Sequence, residues 1–95
     1  MHTDQLLNSA EELFTAGVDK SRQGDFSAAL KDFDQALQLD PNNADAYGNR
    51  CVARYKLRDK QGAIKDCQKA VALYQVQENT KYYQYALKML EKLQR

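Results

Sequence analysis

The sequence predicts an all-α chain: five helices, arranged as two antiparallel hairpins followed by a capping helix. Three observations point there. The chain matches itself at an offset of 34 residues, pairing Ala10 with Ala44, Val18 with Val52, Asp25 with Asp59 and Ala29 with Ala63. Lys31-Asp32 recurs as Lys65-Asp66, Ala36 as Ala70 and Leu39 as Leu73. A fixed period of this size marks stacked supersecondary units, each of which buries its apolar face on its neighbours. Apolar residues also recur at helical spacing between polar capping residues. Finally, 43% hydrophobic and 28% charged residues, with four glycines and one proline, match a globular helical chain and not a disordered one. Ninety-five residues leave no room for a second fold, so one domain over 1–95 is expected.

The elements follow in order. Ser9-Ala10-Glu11-Glu12 reads as a capping box, in which the serine oxygen takes an orphan amide and Glu12 reaches back. Leu13, Ala16, Gly17 and Lys20 continue at helical spacing until Gly24 ends the segment. Asp25 caps a second helix with Phe26, Ala29, Leu30, Phe33, Ala36 and Leu37 on one face. Asp40-Pro41-Asn42-Asn43 stops it, because the residue before a proline is pushed out of the helical region. Asn43 caps a third helix to about Leu57, and Asp59 a fourth to about Tyr74. A fifth starts near Asn79 or Thr80. Connections of a few residues favour antiparallel neighbours. Gly17, Ala29 and Ala36 fall where axes approach closely, while Leu13, Phe33, Tyr47 and Leu73 supply bulk.

These residues resemble the tetratricopeptide repeat. Residues 10–43 form the first repeat, through Leu13, Ala16-Gly17, Ala29, Phe33, Ala36 and Pro41. Residues 44–77 form the second, through Tyr47, Ala63 and Ala70, and 78–95 supply the capping helix. The resemblance implies a right-handed α-α superhelix acting as a non-catalytic protein-binding module. Departures are Cys51 for glycine, Cys67 for an aromatic residue, Gln75 for the terminal proline, and Lys20 and Arg54 where tyrosine is usual. Without the proline, the fourth helix is free to run past Tyr74.

The same frame places a concave groove on the first helix of each hairpin. Phe14, Thr15, Val18, Ser21 and Arg22 then face it from the first repeat, and Gly48, Asn49, Val52, Tyr55 and Lys56 from the second. An extended or helical partner segment would meet apolar pockets at Phe14, Val18, Val52 and Tyr55, an amide at Asn49, and cations at Arg22 and Lys56. Some family members hold a chaperone's C-terminal carboxylate with a Lys, Asn, Asn, Lys, Arg clamp. Here Asn49 matches one clamp position, and the others fall on Phe14, Val18, Asn79 and Tyr83. With its cations missing, that clamp is not expected to work.

Other chemistries lack residues. Cys51 and Cys67 are 16 apart and His2 is the only histidine, so no four-ligand zinc site assembles within one chain. Both cysteines fall on core positions and are expected as buried, reduced thiols. No nucleophile has a base beside it, and no glycine-rich loop cradles phosphate, so neither catalysis nor a cofactor is expected. Asp32 and Asp34 read as a solvated carboxylate pair. A sequence pI near 7.7 argues against nucleic acid. No apolar run spans a membrane and the N-terminus lacks a signal peptide, so a cytoplasmic location is expected.

Two features suggest a self-assembling unit as the alternative. Residues 1–40 hold eight acids and three bases, net −5, whereas 41–95 hold five acids and eleven bases, net +6. The fifth helix is also apolar over an arc of about 200°, from Tyr82 round to Leu93, where a cap needs about 100°. One edge, around Tyr83 and Leu87 or around Tyr85, is left for a second interface.

Overall fold

The computed structural model describes the backbone of residues 2–95 and the side chains of residues 9–95. Met1 and the side chain of His2 lie outside the described residues. Five helices follow one another: α1 (His2–Arg22), α2 (Phe26–Leu39), α3 (Ala44–Lys56), α4 (Lys60–Val76) and α5 (Thr80–Leu93), with no strand among the described residues. Successive helices pack as antiparallel neighbours, and α2 also packs on α3, joining the two hairpins into one stack.

Local chemistry sets most boundaries. Asp25, Asn43, Asp59 and Asn79 each accept a hydrogen bond from the amide three residues on, at Ala28, Ala46, Gly62 and Tyr82. Such caps satisfy amides that have no partner within the helix. Three turns share one design. A residue with positive φ (Gly24 at 85°, Arg58 at 69°, Glu78 at 56°) precedes the cap. The cap's own amide then donates back to Lys20, Arg54 or Tyr74 at 2.8–2.9 Å, closing a Schellman turn.

Two boundaries differ from the sequence reading. Helix α1 begins at His2, so Ser9 lies inside it and caps nothing. Neither proline nor glycine interrupts residues 2–8, and the capping-box residues continue a helix as readily as they start one. Helix α4 runs to Val76, past Tyr74, as the missing proline allows.

The core is built on small residues. Ala29, Ala46, Ala53, Ala63 and Ala70 are fully buried, so the axes approach on methyl groups. Phe33 fills the first hairpin, and a Cβ added at Gly17 would sit 2.6 Å from its ring. Leu93 closes over Cys51, Ala63 and Cys67, while Ala86 closes over Ala44, Ala70 and Tyr74. Helix α5 therefore completes the core of the second hairpin.

The expectation of a solvated carboxylate pair fails for Asp32, while Asp34 keeps 45% of its side chain exposed although it too is paired. Asp32 is paired with Lys20 at 2.7 Å, and Asp34 accepts from Arg50 at 2.9 Å. The Arg50 guanidinium, on α3, also grips buried Asp66 with two nitrogens at 2.7 and 2.9 Å and lies 5.4 Å from the Tyr47 ring centroid. Arg54 adds an ion pair to Asp66 at 3.2 Å. One side chain thus ties α2, α3 and α4 together. Burial works against the Arg50 charge, yet the hydrogen bonds and charges of Asp66 and Asp34 hold its pKa above the ordinary value. The Lys20–Asp32 and Arg54–Asp66 pairs are themselves 34 residues apart, so the cations that replace the usual tyrosine serve the same contact in both repeats.

Candidate functional site

Helices α1, α3 and α5 wall a groove of about 450 Å³. Helix α1 contributes Phe14, Val18 and Arg22, four residues apart and so in line on one face. Helix α3 supplies the floor with Asp45, Gly48, Asn49 and Val52. The far wall is Tyr82, Tyr85, Ala86 and Met89 of α5, with Tyr74 and Cys67 reaching in from α4.

Two rows cross the groove at the repeat period: Phe14, Gly48 and Tyr82, then Val18, Val52 and Ala86. In the first row, glycine stands between two aromatic residues. A Cβ added at Gly48 would meet no atom within 4 Å among the described residues. Phe14 and Val18 have one side on the core cluster of Ala29, Phe33 and Ala53, with the Phe14 and Phe33 ring centroids 6.1 Å apart. The other side faces the groove.

The α5 wall is aromatic and ordered. Tyr82 stacks on Tyr74, with centroids 5.7 Å apart and planes at 26°, and Lys81 sits 5.9 Å from the Tyr82 centroid. The Tyr74 hydroxyl donates to the Asp45 carboxylate. Burial first, then that hydrogen bond and the Asp45 charge, push the Tyr74 phenol well above its ordinary pKa. Tyr82 and Tyr85 remain 47% and 66% exposed.

A second cavity of about 220 Å³ lies between α3 and α5, lined by Cys51, Val52, Tyr55, Met89, Lys92 and Leu93. Both cysteines are free and buried. The Cys51 thiol points to the Met89 sulfur at 3.8 Å, and the Cys67 thiol to the Ala86 carbonyl at 3.2 Å. The neighbouring Cys67 sulfur, burial and the Asp66 charge all push the Cys51 thiol far above its usual range, which suits a packing role. Among the described residues no three His, Cys, Asp or Glu side chains gather as metal ligands, and no helix is long and apolar enough to cross a membrane.

The structure brings Phe14, Val18, Arg22, Asn49 and Val52 into one groove. Tyr55 lies in the second cavity. Lys56 lines neither, but it follows Val52 by four residues and carries the groove face beyond the cavity. The Asn49 amide donates to the Asp45 carbonyl at 2.8 Å, so part of its hydrogen-bonding capacity is spent on its own helix. Of the two candidate edges on α5, Tyr85's is the open one. Tyr83 packs beside Ala44, Ala70 and Tyr74, and Leu87 is half-buried. Sequence reasoning missed Asp45, Tyr74, Tyr82, Ala86 and Met89. Carrying the 34-residue offset one step further, from Gly48 to Tyr82 and from Val52 to Ala86, would have found two of them.

The family model for the tetratricopeptide repeat matches residues 14–78. The chain belongs to the tetratricopeptide repeat family. Its all-α superhelical fold is that of the family. Among curated proteins, it is 36% identical over 69 residues to tetratricopeptide repeat protein 36 of Danio rerio, a match covering 73% of this chain and 37% of that protein. It is 40% identical over 62 residues to the small glutamine-rich tetratricopeptide repeat-containing protein beta of Homo sapiens, covering 65% and 20%. Over 70 residues it is 37% identical to serine/threonine-protein phosphatase 5 of Homo sapiens, covering 74% and 14%. The tetratricopeptide repeat chain thus spans well under half the length of each of these relatives.

Proposed function

We propose that this tetratricopeptide repeat chain is a non-catalytic interaction module whose groove holds a segment of another protein. The observation that carries the reading is the continuous apolar lining from Phe14 and Val18 across Val52 to Tyr82, Tyr85 and Met89, which no side chain among the described residues fills. Tyrosines give large, rigid contact area with a polar tip and are enriched among the residues that dominate interface energy. Rigid helices fix the groove beforehand, so little ordering cost falls on the module. A chaperone-tail mode gains nothing here: Phe14 and Val18 put hydrocarbon where that clamp needs a cation and an amide, and Asn49 is engaged by Asp45. Self-assembly through α5 is left only the Tyr85 edge, since Tyr83 and Leu87 are already half-buried, and Tyr85 itself lines the groove.

Affinity capture from native extract tests the groove, using wild type beside Val52→Glu, with exposed Val76→Ser as control. Val76 is 80% exposed and does not line the groove. The expected result is a protein held by wild type and Val76→Ser and released by Val52→Glu at unchanged helicity. Equal capture by all three would move the site off the groove.

A further inference from the structure

The groove is polar in charge along its length. Each wall helix ends in a cation: Arg22 is the last residue of α1, Lys56 the last of α3, and Lys92 lies in the last turn of α5. Each follows a groove residue by three or four positions, after Val18, Val52 and Met89, so it stands where the groove face continues. Among the described residues, none of the three has a carboxylate within ion-pair reach. The nearby acids are engaged elsewhere: Asp25 and Asp59 cap α2 and α4, and Asp45 takes the Tyr74 hydroxyl. Glu11, Glu12 and Asp19 share a separate patch of α1 that includes none of the groove residues.

Cations at helix C-termini also have a plain structural use, offsetting the helix dipole. That use applies equally to α2 and α4, yet neither has a basic residue in its last turn. The cations are confined to the helices that wall the groove.

Gly48 supplies the second observation. A glycine inside a helix costs about 1 kcal/mol relative to alanine. Gly17 has a packing reason, because Phe33 occupies the space of its Cβ, and Gly62 is crowded by Asp59. Gly48 has neither crowding nor positive φ. Its absent side chain instead leaves a slot on the groove floor between Phe14 and Tyr82.

We propose, on the groove reading above, that the bound segment carries one bulky apolar anchor over Gly48 and acidic residues that meet Arg22, Lys56 and Lys92. Eight helical residues separate Gly48 from Lys56, a rise of about 12 Å, which three to four residues of extended chain span. The charges speed encounter and reject basic segments, while the anchor supplies the buried apolar contact.

The test uses fluorescein-labelled eleven-residue peptides read by fluorescence anisotropy. The reference peptide has a central tryptophan flanked by glycine and serine, with pairs of glutamates three and four positions away on both sides. Companions carry glutamine or lysine for the glutamates, or serine for the tryptophan. Wild type is expected to bind the reference at least tenfold tighter than the lysine and serine versions, and to weaken as salt rises. Arg22→Glu/Lys56→Glu/Lys92→Glu should reverse the preference toward the lysine peptide. Gly48→Leu should lose at least tenfold for every tryptophan peptide, and Gly48→Ala, whose fold is expected to be firmer than wild type, should lose part of it. Equal binding of the glutamate, glutamine and lysine peptides overturns the acidic preference and leaves the groove reading standing. If no tryptophan peptide binds better than the serine one, both fall.

Discussion

Replacing Gly48 and Gly17 by alanine should move stability in opposite directions, although both glycines sit inside helices. The helix-propensity gain is the same at each site, about 0.8–1.0 kcal/mol. At Gly48 the new methyl meets nothing within 4 Å, so no steric cost offsets that gain. The fold should be firmer by about 1 kcal/mol, raising Tm by about 4–8 °C for a chain of this size. At Gly17 the methyl lands 2.6 and 2.8 Å from Phe33 ring carbons, and that ring is fully buried with no room to withdraw. Overpacking costs about 1–3 kcal/mol, and contacts this short belong in the upper part of that range, leaving a net loss of about 1–2 kcal/mol. The two variants should therefore differ by about 2–3 kcal/mol. Urea melts followed by circular dichroism, with the m-value checked for constancy, measure the difference directly. Shifts of the same sign would refute the assignment of Gly17 to packing and Gly48 to the groove.

Arg58→Gly and Glu78→Gly should each stabilise by about 0.5–1 kcal/mol in the same melts, because both residues hold a left-handed turn that glycine adopts without strain. Arg50→Met should cost about 2–4 kcal/mol by leaving buried Asp66 with Arg54 alone; Arg50→Met/Asp66→Leu should cost less than the single change, and additive losses would argue against a coupled network. Folding raises the Tyr74 pKa, so its contribution is complete below the unfolded value near 10 and is lost as pH climbs through and above it. Tyr74→Phe should accordingly be less stable at pH 7 and show a shallower alkaline decline than wild type in melts from pH 8 to 12. Removing residues 78–95 strips Leu93 from Cys51 and Cys67, and Ala86 from Ala70 and Tyr74; calorimetry should then show a broad transition without a cooperative peak.

What the sequence reveals here depends on how local the physics is. Caps are local, and Asp25, Asn43, Asp59 and Asn79 each act on an amide three residues away, so all four boundaries could be read. The start of α1 could not, because a capping box signals a start only where the preceding residues refuse to be helical. Periodicity also says which face a residue is on, but not what lies opposite. Asp32 and Asp34 sit on the polar side of α2, yet Lys20 and Arg50 of neighbouring helices meet them there. The groove was legible from α1 and α3, whose residues repeat, while the Tyr74 and Tyr82 wall depends on how α5 docks. The same docking decides that Tyr85 is the open edge and Tyr83 the packed one.

At several close helix contacts the two repeats agree, as at Ala29 and Ala63 or Ala36 and Ala70, and the caps Asp25 and Asp59 agree too, whereas buried Phe33 and Cys67 differ. A larger side chain at any of these alanines would push axes apart in either repeat, so both copies answer to the same constraint. On the groove face Val18 and Val52 agree, but Phe14, Gly48 and Tyr82 are equivalent positions with three unlike side chains, and all of them line the same space. Internal packing gives no reason for that difference, because Gly48 touches nothing that a methyl would disturb. On the proposed reading, a row that varies where the scaffold is indifferent, and closes on aromatic walls around a gap, is shaped for something outside the chain. On that reading the cations at the ends of α1, α3 and α5 follow the same logic, since they sit only on the helices a partner would touch. Charge reversal there removes dipole-offsetting cations worth about 0.3–1 kcal/mol each, so it should lower the melting curve modestly while reversing the charge preference in binding.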